Sequence, residues 1–171
     1  MTVFDIRVNF IYLIILSIFQ LSFSASASNE LEIEIDNPKF TEKGLDNKIY
    51  EIKALKGLKS DNELKLFSIE GKFKTNDGTW IYLTADQGNY FQDAKIITLE
   101  RNVVFYTDNN EILKSDFARF DVGEDVFDFT ENVKHKNSEG IVMSDSSRVI
   151  SNFKNIVYEG NVSAKFYKVS Q

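Results

Sequence analysis

From about residue 49 onward the chain alternates apolar and polar side chains with a two-residue period. Ile97, Leu99, Val103 and Phe105 share one parity, whereas Thr98, Glu100, Asn102, Val104 and Tyr106 share the other and are mostly polar. A strand turns successive side chains to opposite faces, so this pattern predicts strands with one buried face. Clusters of turn-forming residues interrupt it at Asn76-Asp77-Gly78, Asp108-Asn109-Asn110, Val122-Gly123-Glu124 and Ser138-Glu139-Gly140. No segment after residue 40 carries a 3.6-residue apolar stripe. Residues 52–58, which have the length of a helical turn, align better with the strand before Ala85. The pattern predicts an all-β domain.

The alternation itself repeats. Ile69-Glu70-Gly71-Lys72-Phe73, Leu99-Glu100-Arg101-Asn102-Val103, Phe129-Thr130-Glu131-Asn132-Val133 and Tyr158-Glu159-Gly160-Asn161-Val162 begin 30, 30 and 29 residues apart. A second mark keeps the same period: Ala85-Asp86, Ser115-Asp116 and Ser144-Asp145, with Ala54 standing 31 residues before Ala85. Each unit of roughly 30 residues reads as two strands, and stacked units bury a continuous interior. Stacking predicts apolar ladders: Phe67, Ile97, Phe127 and Ile156; Ile69, Leu99, Phe129 and Tyr158; Phe73, Val103, Val133 and Val162; and, from the other strand, Ile52, Leu83, Leu113 and Val142. Phe105 continues this face. For any one of these residues plain core packing is a sufficient explanation; a functional lining is a property of the collective interior.

Charge and composition narrow the function. Twenty-six acids against 20 bases give −6 over 171 residues, which disfavours nucleic acid and promises an acidic exterior without a broad cationic surface for lipid headgroups. The chain has no cysteine and one histidine, His135, so thiol chemistry is excluded and zinc hydrolysis lacks its usual ligands. His135 stands in register with Phe105 and Ala164, where a structural or rim role is expected. Asp86, Asp116 and Asp145 fall one per unit, at expected strand-end bends, where capping of local backbone groups outweighs a calcium ladder. Glu32/Glu34 and Asp125/Asp128 read as solvated faces. No phosphate-binding or nucleophile motif is present, so neither an enzyme nor a cofactor is expected.

At the N-terminus, Arg7 precedes an apolar run, Val8 to Phe23, followed by Ser24-Ala25-Ser26-Ala27-Ser28. The layout is that of a secretory signal with Ala25-Ser26-Ala27 at its cleavage site. An uncleaved anchor is the alternative, although a helix over that run spans only about 24 Å of an about 30 Å hydrocarbon core. Either way residues 1–27 form a signal peptide or anchor and residues 28–171 an exported domain.

Several segments in order carry a family resemblance: Asn37-Pro38-Lys39-Phe40, Tyr50-Glu51-Ile52-Lys53-Ala54, Asp77-Gly78-Thr79-Trp80, Leu83-Thr84-Ala85-Asp86-Gln87-Gly88, and the recurring Asn-Val strands ending on Gly160-Asn161-Val162. From about residue 33 to 167 the chain resembles the LptC family of lipopolysaccharide export proteins, within the OstA-like group that includes LptA. The resemblance implies a curved β-jellyroll folded like a taco, preceded by a hydrophobic segment. It also implies a periplasmic location at the inner membrane and lipopolysaccharide as the bound partner. The acyl chains would then lie against Phe67, Ile69, Phe73, Leu83, Ile97, Leu99, Val103, Phe105, Leu113, Phe127, Phe129, Val133, Ile156, Tyr158 and Val162. Inner-membrane ABC transporter permeases are expected at the N-terminal edge (Leu31–Ile35) and an LptA-like protein at the C-terminal edge (Val157–Phe166). The short apolar run keeps a soluble LptA-type bridge open, and a structural β-repeat without lipid is the reading from another class.

Overall fold

Alternating apolar residues and turn clusters build eleven strands in the structure, a computed structural model that describes residues 32–150, 153 and 155–168. They are β1 (Ile33–Asp36), β2 (Lys39–Lys43), β3 (Ile49–Lys59), β4 (Glu63–Lys74), β5 (Trp80–Phe91), β6 (Ile96–Thr107), β7 (Ile112–Asp121), β8 (Val126–Lys136), β9 (Gly140–Ile150), β10 (Asn155–Glu159) and β11 (Ser163–Phe166). The expected signal or anchor, residues 1–27, and Leu31 of the expected edge lie outside the described residues. No helix among the described residues is long and apolar enough to cross a membrane.

All eleven strands form one antiparallel sheet. Its order follows the sequence from β3 to β10, with β1 and β2 sharing one flank of β3, and β10 and β11 sharing one flank of β9. Every long strand crosses a corner at its middle. Residues 49–54, 69–74, 80–85, 103–107, 112–115, 133–136 and 140–144, with β2 and β11, make an upper arm. Residues 57–59, 63–66, 88–91, 96–100, 117–121, 126–130 and 146–150, with β1 and β10, make a lower arm. The arms fold over one another and enclose the core. Tyr50 of the upper arm meets Phe120 of the lower at 4.7 Å between ring centres, Phe73 meets Phe127 at 5.5 Å, and Phe105 meets Phe129 edge-on at 5.0 Å.

Burial shows how the corner works. On β5, β7 and β9 two residues separate the flanking inward positions, as between Ser115 and Ala118; on β6 and β8 three do, as between Val133 and Phe129. The mismatch appears as a register shift between Glu100 and Val103 and again between Thr130 and Val133. The extra residue is absorbed by paired left-handed positions, Arg101-Asn102 and Glu131-Asn132, continued at Gly160-Asn161 between β10 and β11. Asparagine is among the few residues that enter this region readily. Gly160 has a second reason: a Cβ there would stand 2.4 Å from the Asp145 carboxylate.

The two repeat marks are thus one device. Asn102 donates from Nδ2 to Asp86 at 2.8 Å, Asn132 to Asp116 at 2.5 Å and Asn161 to Asp145 at 2.9 Å. These aspartates do not cap backbone at strand ends, as expected from sequence. They sit at mid-strand and hold the next strand's asparagine. Ser115 and Ser144 brace the same turn by donating to the carbonyl two residues on.

The first unit departs from the expected alignment. Its corner is the single left-handed Ser68, so Ile69–Phe73 lies wholly beyond the corner, in the upper arm. The row expected to begin at Phe67 begins at Leu64 and runs through Tyr90, Ile97, Phe120, Phe127 and Val149 to Ile156. The row of Leu99, Phe129 and Tyr158 begins at Leu66, not Ile69. The expected row of Ile52, Leu83, Leu113 and Val142 is present, with Gly71, Phe105 and His135 interleaved.

Candidate functional site

The residues expected to line the interior converge between the arms. Ile69, Phe73, Leu83, Ile97, Leu99, Val103, Phe105, Leu113, Phe127, Phe129 and Val133 are all buried. Four others differ. Phe67 is half-buried on the outer face, its ring beneath the Lys65 ammonium, because the corner at Ser68 makes Leu66 the inward residue. Ile156 and Tyr158 are half-buried on β10, and Val162 is 52% exposed at the left-handed turn before β11. Tyr50, Leu66, Ile81, Tyr90, Ala118, Phe120 and Val149 join the buried set without having been singled out as lining. Leu66 is turned inward by the corner at Ser68, and Phe120 and Val149 stand opposite Phe127 on the strands to either side of it.

Among the described residues the interior is closely packed. Phe120 and Phe127 stack in parallel at 3.9 Å, and Phe105 lies edge-on to Phe127 at 5.3 Å. A void of about 10 Å³ beside Ile81, Phe105, Leu113 and His135 has room for little more than one water. Gly71 and Gly88 allow this density. A Cβ on Gly71 would stand 2.7 Å from Ile52 Cδ1, and one on Gly88 2.1 Å from the Thr98 carbonyl.

Three polar clasps join the arms, each including a tyrosine. In the first, the loop before β3 lays Lys48 against the β7–β8 turn: its ammonium is 2.5 Å from Asp125 Oδ2, and the Tyr50 hydroxyl donates to Oδ1 at 2.5 Å. The Lys48 side chain is only 3% exposed and also lies over the Tyr50 and Phe73 rings. In the second, Tyr90 of the lower arm donates to Glu42 of β2, with Phe40 stacked on its ring at 4.7 Å. In the third, buried His135 lies between Tyr158, whose hydroxyl is 2.5 Å from Nδ1, and Glu111, whose Oε1 is 2.8 Å from Nε2. A carboxylate only accepts, so Nε2 carries a proton toward Glu111, and Nδ1 meets the Tyr158 hydroxyl. The expected structural role for His135 takes this form.

The clasps keep their phenols protonated. Burial, then the hydrogen bond to Asp125, then its charge push the Tyr50 phenol far above its ordinary value. Tyr90 is raised by burial first and then by Glu42. Tyr158 is pushed up to about 12 by burial and by the charge of Glu111. An ionised phenolate at these positions would be partly desolvated beside a carboxylate, and both effects oppose it.

The described residues contain no cluster of three or more histidine, aspartate or glutamate side chains suited to a metal ion. The described residues form a long apolar interior shut by a few polar contacts. Comparison with protein-family models and with curated proteins finds no match to this chain.

Proposed function

We propose that this chain is a periplasmic lipopolysaccharide transport protein of the LptC type. It takes lipid from the inner-membrane ABC transporter into the space between its arms and passes it to an LptA-like protein. The observation that carries the reading is the largely apolar interior, which runs from β3 to β10 beneath a single sheet whose two edges are unpaired among the described residues. An unpaired edge can take up a partner strand, so interiors can be joined end to end. In this reading β1 and β2 face the transporter, and β10 and β11 face the LptA-like partner.

Because the interior is packed, lipid must part the arms. Burying one acyl chain of about 14 carbons is worth on the order of 10 kcal/mol, at about 0.8 kcal/mol per methylene. Parting the arms returns both partners of each clasp to water, so no charge is stranded, and an acyl chain entering between the arms replaces the lost packing.

The same dense packing favours a second reading, a structural β-repeat that holds no lipid. Photo-crosslinking residues at Leu99 and Phe129, both fully buried in the lower arm, separate the two. Capture of lipopolysaccharide above the level of outward-facing controls supports transport. Equal capture at inward and outward positions supports the structural reading.

A further inference from the structure

The chain is acidic overall, yet the fold sorts its charges. On the outer face of the upper arm, the half nearer β2 matches its lysines with glutamates: Lys53 pairs with Glu70 at 2.7 Å and Lys72 with Glu51 at 3.4 Å, around a depression of about 490 Å³. The half nearer β11 has no such matching. Its outward strand positions carry Lys114, Lys134, Lys136 and Lys165, and the carboxylates next to them, Asp116 and Asp145 at the corner, are held by Asn132 and Asn161. None of the four makes an ion pair among the described residues. Lys114 stands directly opposite Lys134 on the neighbouring strand. Like charges directly opposed across two strands are destabilising, so the free protein bears a cost here that a bound anion would relieve. The expectation of an exterior without a broad cationic surface was drawn from net charge, which does not register this lateral sorting.

Apolar side chains are interleaved with these lysines. Tyr106 is 40% exposed and Met143 48% exposed, and Met143 is the cross-strand partner of Lys134. A protein–protein interface gathers its apolar residues into a core inside a polar rim. A bilayer interface accepts the mixed arrangement, with ammonium tips at the phosphates and aliphatic stems and tyrosines at headgroup depth. We propose that this face of the upper arm, from β6 to β11, docks flat on an anionic bilayer surface. The docking is independent of what the interior holds. Four lysines at about 1 kcal/mol each correspond to about a thousand-fold gain in partitioning, lost as salt screens the surface.

The test uses the full chain on vesicles, with amine-acylation footprinting read by peptide mass spectrometry. One vesicle is an equal mixture of phosphatidylglycerol and phosphatidylcholine; the other is pure phosphatidylcholine. Docking predicts that Lys114, Lys134, Lys136 and Lys165 are protected only on the anionic vesicle, that Lys53 and Lys56 react alike on both, and that salt abolishes the difference. Lys114→Gln with Lys134→Gln should weaken the anionic-specific binding about 30-fold. Lys134→Glu should do the same without loss of folding, since it sets an opposite charge against Lys114. Equal protection on both vesicles, or protection unchanged in the double variant, overturns the proposal. So does protection by polyglutamate without protection by the anionic vesicle, which assigns the face to an acidic protein.

Discussion

The corner and the rim of the folded sheet are both held by polar side chains, on opposite terms. At the corner the Asn–Asp pairs recur one per unit, each spans 16 residues, and each is exposed. At the rim the three clasps share no spacing, reach across 77, 48 and 23 residues, and are at least partly buried. An exposed polar pair contributes little, while a buried one is costly to break. The corner therefore sets geometry through backbone conformation, and the rim sets how firmly the arms close.

The difference can be broken most sharply at Asp125. Asp125→Ala leaves the Lys48 ammonium buried without its carboxylate and should cost about 3–5 kcal/mol, read as a lower urea midpoint. Replacing both partners together, Lys48→Met with Asp125→Leu, should recover most of that loss, because no charge is stranded.

Raising the pH tests the rim without mutation. A phenol whose folded value lies above its unfolded value of about 10 contributes stability that is complete below pH 10 and lost as pH rises through the folded value. Tyr158, at about 12, places one such loss between about pH 10 and 12, and Tyr50 and Tyr90 continue it in the same direction. Denaturant midpoints should fall over that window, and Tyr158→Phe should make the fall shallower.

Effects at the corner should be smaller and should divide unevenly. Asn132→Val forces a β-branched residue into a left-handed position and should cost about 1–2 kcal/mol. Asp116→Ala removes only the exposed hydrogen-bond partner and should cost about 1 kcal/mol or less. Equal losses in thermal denaturation would mean that the side-chain pair, and not the backbone, holds the corner.

The same contrast explains what was legible in the sequence. Strand alternation, the two-strand unit and the row of Ile52, Leu83 and Leu113 could be read because they repeat at short range. The β4 alignment slipped because its corner is one left-handed serine, with Leu55 in place of an aspartate on the neighbouring strand. The clasps left no trace, since Lys48, Glu42, Glu111 and Asp125 look like ordinary surface charges until the arms are folded together. The basic face was hidden for another reason. Net charge averages over all surfaces, and only lateral register sets Lys114 against Lys134.

Both edges of the sheet are bent in the same way as its interior strands. β1 and β2 are one edge strand interrupted at Asn37-Pro38, and β10 and β11 are another interrupted at Gly160-Asn161. A straight strand arriving at either edge can pair along one half and must forfeit the other. A strand with its own bend at the same depth can pair along both. The corner that shapes the interior thus also works as a keyway, admitting chains of matching profile and leaving an ordinary extended peptide, or an aggregating neighbour, only half seated.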